Sequence, residues 1–415
     1  MNSDTWQKLY RDVKEPHLNP AVVGFNVNLD RIITVNPDLL QSRLLNHPDL
    51  SELRSRLLHS MQACTAEEWF VTDQLLYRKF TRAFSDYGSL AIGGQAGIAA
   101  LHLSSIGVPD VLCITHSAGP DTGKILTSAG VRVLGINPEK TVPPDEIHLV
   151  FEYAPGLVPV AYGVVPRNNR FIASPAGDPE SALIPGDISG TVIYKVSLYT
   201  RVFLSGYQYL SLPGEFARAA DQILRMKMNN PLMRVHVECV SVTDDAVIGG
   251  FARHILPAAD SIGLNEHELL LLLHHLFPQD GYGISGYLSP AELVKGALLV
   301  CRKSGIRRLH LHTFGYYVLI LRADCAHPDE SLNALLFASL TTVHAAQGSS
   351  TEISPVGLGA LEQIGEAFGP QRSFCIFPAD THTIIVIPTI IAHNIKKSSG
   401  LGDILSSTAF VADRF

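Results

Sequence analysis

Short runs of apolar, β-branched residues alternate with stretches of helical period along most of the chain. AVVGFNV (21–27), VLCIT (111–115), VRVLGI (131–136), HLVFEY (148–153), RVFLSGY (201–207), RVHVECV (234–240), SIGLN (261–265) and LHLHTF (309–314) predict strands. Several are apolar almost throughout, the pattern of strands covered on both faces. Helical patterns occupy 94–106, 213–228, 243–255, 265–277, 290–305 and 328–347. From about residue 190 onward the alternation predicts βαβ units on a parallel sheet.

Two stretches break this rhythm. Residues 33–85 are more polar and helix-like, and residues 145–175 combine strand signals with Pro and Asn turns. An α/β body of residues 1–32, 86–144 and 176–415, with a smaller lid of 33–85 and 145–175, accommodates both. Composition supports a well-packed core: 46% of the 415 residues are apolar and 17% charged, against a usual charged share of about 25%. A net charge of −7 excludes a global basic field that would recruit nucleic acid or an anionic membrane. The six cysteines form no CxxC pair, and the longest apolar runs, 269–273 and 384–392, fall short of the ~20 residues a membrane helix needs. The N-terminal stretch is polar and shows no apolar signal segment. These features predict a cytoplasmic protein.

Candidate chemistry gathers at a few loops. Ser398-Ser399-Gly400-Leu401-Gly402-Asp403 opens a C-terminal helix. Glycines there let backbone N–H groups approach an anion at the positive end of the helix dipole. Asp403 at that mouth can take a proton from an attacking hydroxyl, or it can simply cap the helix. Asn265 and Glu268 share a face at the start of the helix after SIGL. They can hold a hydrated Mg²⁺ through its waters, or form a capping box. His236 and Glu238, two apart on a strand, face one side and suit a metal or a buried pair. Asn26, Asn28 and Asp30 alternate in GFNVNLD, and Gly94 and Gln95 open the next helix. Dense, fixed donors and acceptors of this kind suit a polyol, while turn chemistry is the plainer reading of each motif.

The ordered set GFNVNLD, GGQAGIAA, IHLVFEY with VPRNNRFI, FLSGYQ, HVE, GLNEHE, LHTF and GLGDILSSTAF resembles the ADP-dependent glucokinase and phosphofructokinase family of the ribokinase-like superfamily. The likeness runs from about residue 20 to the C-terminus. It implies an α/β fold with a Rossmann-type three-layer α/β/α large domain and a smaller α+β lid. It also implies Mg²⁺ and ADP as phosphoryl donor, in a monomer or dimer with no nucleic-acid or membrane partner. By resemblance Asp403 is the catalytic base, and Gly400, Leu401 and Gly402 form the anion hole. Asn28, Asp30, Glu68, Gly94 and His148, with Asn26 and Gln95 beside them, contact the sugar. Arg170, Asn265, His312, Thr313 and Gly402 serve the nucleotide, and Glu238, Glu268 and Asp403 the metal.

Glu68 matches a glutamate carried by members that act on glucose, with Glu67 one register away. A carboxylate accepts a bond from a sugar hydroxyl and repels a phosphate, so glucose is the expected acceptor. Fructose 6-phosphate, alone or as a second activity, is the alternative, because Arg167 and Arg170 suit a sugar phosphate. A non-catalytic sugar- or nucleotide-binding relative is the rival of another class. Arg31, beside Asp30 where the family usually has a small or apolar residue, is expected to alter the sugar pocket.

Overall fold

The computed structural model describes the chain except residues 1–2, 46, 65–66, 117, 137–144, 157–164, 166–168, 241–243, 283–287, 326, 349–351, 370–374 and 394–399. Arg167, Ser398 and Ser399 therefore lie outside the described residues. In chain order the strands are β1 (Ala21–Gly24), β2 (Asn28–Thr34), β3 (Glu67–Val71), β4 (Ser89–Gly93) and β5 (Val111–Thr115). Then come β6 (Arg132–Gly135), β7 (Ile147–Tyr153), β8 (Asn169–Pro175), β9 (Arg201–Leu204) and β10 (Arg234–Glu238). Last are β11 (Ser261–Leu264), β12 (Arg308–His312), β13 (Tyr316–Arg322), β14 (Ile376–Ala379) and β15 (His382–Pro388).

Ten strands make the body sheet in the order β14-β15-β13-β12-β11-β10-β9-β1-β5-β6. From β12 to β6 all neighbours are parallel. Most of their residues are buried because helices cover both faces. Pro213–Asn229, Glu266–Leu276 and Pro290–Ser304 lie on one side, while Gln95–Ser105, Pro328–Ala345 and Leu401–Ala412 pack together on the other. The parallel expectation stops at β12: β13, β15 and β14 pair antiparallel, and the three residues between β12 and β13 permit only a hairpin there. Chain direction across the sheet reverses between β1 and β9, the place where open α/β sheets bind ligands at the carboxyl ends of their strands.

The second sheet, β3-β8-β7-β2-β4, forms the smaller domain. Its core is separate, built from Leu53, Leu57, Phe80, Phe84, Phe151 and Phe171. Because β2 and β4 belong to this sheet, the expected domain borders at 32/33 and 85/86 move outward, to the turns around residues 25–27 and 94. GFNVNLD, expected to end one strand, instead divides between two, with its last three residues opening β2. Among the described residues no helix is long and apolar enough to cross a membrane.

Candidate active site

Strand register sorts the small sheet into two faces. Ile33, Leu149, Phe151, Phe171 and Ala173 point into its core, while Leu29 joins the core of the body. The residues opposite one another on the other face are Asn28 and Gly93, Asp30 and His148, Glu152 and Arg170, and Ile172 and Glu68. The polar face is therefore continuous across all five strands. Asn28 Nδ2 donates to Asp30 Oδ1 at 2.6 Å. Ser174 Oγ donates to Glu68 Oε1 at 2.6 Å and lies 3.0 Å from His148 Nδ1. His148 Nε2 is 3.1 Å from Glu146 Oε1.

Three carboxylates thus surround one imidazole. Burial disfavours charge on His148, but Glu146, Glu68 and Asp30 outweigh it and raise its pKa above the ordinary value. Asp30 is also raised, by burial first, with His148 and Asn28 working against the shift.

The register also settles the neighbours of these residues. Glu67 turns to the opposite side, where Arg56 Nη1 lies 3.8 Å from it. Arg31 likewise leaves the polar face and donates to the Tyr87 carbonyl at 3.1 Å. Asn26 precedes the strand rather than sharing its face with Asn28 and Asp30. Its carbonyl accepts from the amides of Ala96 and Gly97. Gly94 crosses there at φ 72°, and a Cβ would lie 2.4 Å from the Asn26 oxygen. Arg170 stands on the lid face, where its charge acts on Asp30, not with the other expected nucleotide residues on the body.

The crossover at Gly94 leads into the helix Gln95–Ser105, and Gln95 joins the lid to the second group of residues. Its Nε2 donates to the Cys239 carbonyl at 3.2 Å, and its side chain also contacts Asp403. Asp403 is the third residue of the helix Leu401–Ala412, with Gly400 at the cap position, so it is not the N-cap. Gly400 adopts φ 71°, and a Cβ there would meet Ile98 Cδ1 at 2.5 Å. The amides of this first turn have no partner within the helix and are available to an anion. Burial raises the Asp403 pKa to about 7, assisted by the charges of Glu238 and Glu268 and opposed by His312 and Gln95.

Behind Asp403 lies an ordered hydrogen-bond chain. Glu238 Oε1 accepts from His312 Nε2 at 3.0 Å and Oε2 from His236 Nε2 at 2.9 Å. Burial keeps His236 below its ordinary pKa, while Glu238 overcomes burial to hold His312 above it. His236 Nδ1 contacts Ser261 Oγ at 2.7 Å, and Ser261 accepts from Arg308 Nη1 at 3.1 Å.

Asn265 and Glu268 form the capping box, with bonds of 2.8 and 2.9 Å. Thr313 commits its hydroxyl to the Tyr316 carbonyl, closing the β12–β13 turn. Its side chain is thus a positioning element rather than an evident nucleotide contact. The fit of Mg²⁺ follows from charge. Asp403, Glu238 and Glu268 lie close enough to act on one another, yet among the described residues no three His, Cys, Asp or Glu close into a cage. With both Glu238 oxygens engaged by imidazoles, the donor set suits an ion that keeps its own waters.

Sequence reasoning missed Ser174, Glu146 and Tyr209. Ser174 and Glu146 were accessible through the period of two from Arg170 and His148. Tyr209 arrives from the body, and its ring meets Phe70 edge-on at 6.3 Å.

A doubly wound body whose C-terminal helix opens on glycines thus faces a polar lid sheet. Residues 19–412 match the family model described as the ADP-specific Phosphofructokinase/Glucokinase conserved region, and the chain belongs to that family. It is 25% identical to the ADP-dependent glucose/glucosamine kinase of Pyrococcus furiosus, over 99% of this chain and 98% of that one. It is 24% identical to the ADP-specific phosphofructokinase of the same organism, over 94% and 95%. Among solved structures, an ADP-dependent kinase in complex with fructose-6-phosphate and ADPβS superposes with a TM-score of 0.80 at 23% identity, covering 99% of this chain and 97% of that one.

Proposed function

We propose that this ADP-dependent sugar kinase takes glucose as its acceptor, transferring the β-phosphoryl group of ADP to the 6-hydroxyl and releasing AMP. The observation that carries this reading is the carboxylate density of the lid face. Asp30, Glu68 and Glu146 surround His148, an environment that accepts bonds from hydroxyls and repels an acceptor phosphate. An amino sugar would suit the same charge.

Asp403 takes the proton of the attacking hydroxyl, whose oxygen bonds to the β-phosphorus as the bond to the AMP oxygen breaks. The amides of Leu401 and Gly402 stabilise the charge that develops. Asp403, Glu238 and Glu268 would hold a hydrated Mg²⁺, which supplies neutralisation of the phosphate charge. Asn265 caps the helix bearing Glu268, and His312 sets a positive charge beside Gly402, where a Cβ would lie 3.1 Å from its ring. Closure of the lid would exclude water from the phosphoryl donor.

Arg170 on the same face favours the second reading, a kinase that also accepts fructose 6-phosphate. Glu68→Ala separates the two. The substitution removes a charged acceptor, so kcat/KM for glucose is expected to fall about 10- to 100-fold, with fructose 6-phosphate turnover unchanged or raised. A variant that keeps full glucose activity would contradict the role of Glu68.

A further inference from the structure

Ser174, at the end of β8, is fully buried and touches both active groups of the lid face. A serine hydroxyl carries one proton. Ionised Glu68 can only accept, so at 2.6 Å that proton belongs to Glu68 Oε1. Ser174 must then accept from His148 at 3.0 Å, which requires a hydrogen on Nδ1. On the far side of the ring, Nε2 faces Glu146 Oε1 at 3.1 Å, another acceptor, and so carries a hydrogen as well. Two ring hydrogens make an imidazolium.

We infer that Ser174 is a positioning residue of the acceptor site, which holds His148 as a cation and pins one oxygen of Glu68 so that Oε2 meets an acceptor hydroxyl. The inference rests on the lid face being the acceptor site. The groups facing His148 are Asp30 from β2, Glu68 from β3 and Glu146 ahead of β7. Arg170 on β8 acts on Asp30, and burial keeps the phenols of Tyr77 and Tyr209 neutral. The cation offsets part of this negative charge. Without it, the carboxylates would repel one another and Glu68 would lose its fixed direction.

Ser174→Ala is expected to raise the acceptor KM about 10- to 100-fold, the worth of a charge-assisted hydrogen bond. Turnover should stay within about threefold and the ADP KM should not move. Loss of the acceptor for the Nδ1 hydrogen disfavours the charged ring, so the acceptor KM of the variant should begin to climb at a lower pH than that of the parent. Ser174→Thr, which keeps the hydroxyl, should restore the parent behaviour.

Nitrogen-15 NMR of the unaltered protein, with His148→Asn to assign the signal, should show both ring nitrogens protonated near pH 7.5. A neutral His148 ring in that spectrum, or an unchanged acceptor KM in Ser174→Ala, would overturn the inference. Fructose 6-phosphate turnover by the parent without glucose turnover would instead overturn the glucose assignment. The Ser174 comparison would then be made with fructose 6-phosphate.

Discussion

Asp403→Asn is expected to lower kcat by about 10²- to 10⁴-fold, the usual contribution of a positioned general base, while ADP and glucose still bind. Asparagine keeps the shape of the side chain and its contact with Gln95 but cannot take a proton. The parent carboxyl titrates at about 7, because burial and the neighbouring charges of Glu238 and Glu268 disfavour its ionised form. A base with a raised pKa is active above that value and protonated below it. Parent turnover is therefore expected to rise with its midpoint at about pH 7 and to level off about one unit higher, and the residual rate of the variant should lack that rise. A pH series of kcat for both proteins, with ligand affinities measured alongside, checks the assignment. Parent-like turnover in Asp403→Asn would remove Asp403 from the chemistry.

The second large effect is on stability and starts at the other end of the same helix. Arg308 Nε donates to Asp413 Oδ2 at 3.0 Å, with both side chains wholly buried. Ser331 donates to the other carboxylate oxygen at 2.7 Å, and Arg201 Nη2 donates to the Asp413 carbonyl at 2.7 Å. Asp413 caps the C-terminus of Leu401–Ala412 and so anchors the helix whose first turn carries Asp403.

Asp413→Ala would leave the Arg308 charge unpaired inside the protein, at a cost of about 3–5 kcal/mol. The expected result is a large fall in the urea midpoint with little change in slope. Replacing both partners by apolar residues, Arg308→Met with Asp413→Leu, should recover most of the loss, because no uncompensated charge remains. Through Ser261 and His236, Arg308 also joins the chain that ends on Glu238. The double variant should therefore fold yet show a lowered kcat. A stable Asp413→Ala would contradict the anchoring role.

The parallel half of the body was legible in the chain because strands covered on both faces are largely apolar, as in VLCIT, RVFL and SIGL. The strands β13 and β15 were not. YYVLILR follows β12 after a three-residue turn, and the apolar run at 384–392 carries no period that separates strand from helix. Of the lid strands HLVFEY was legible, whereas β2 and β3 each carry two adjacent charged residues, which hides the strand pattern. The alternation of faces along a strand explains which site residues could be read. Asn28, Asp30, His148 and Glu68 share one face by register. Arg170, given to the nucleotide by resemblance, stands on the same lid face, opposite Glu152. The pairing of His236 with Glu238 follows from their spacing of two, but the meeting of Gln95 with Asp403 and of His312 with Glu238 depends on tertiary packing. No spacing along the chain encodes it.

AMP release by the purified protein, with ADP or ATP crossed against glucose or fructose 6-phosphate in the presence of Mg²⁺, tests the central claim most directly. Formation of AMP with ADP and glucose is the predicted result. AMP with ADP and fructose 6-phosphate alone would contradict the reading of the lid face, and no AMP in any combination would contradict the kinase mechanism itself.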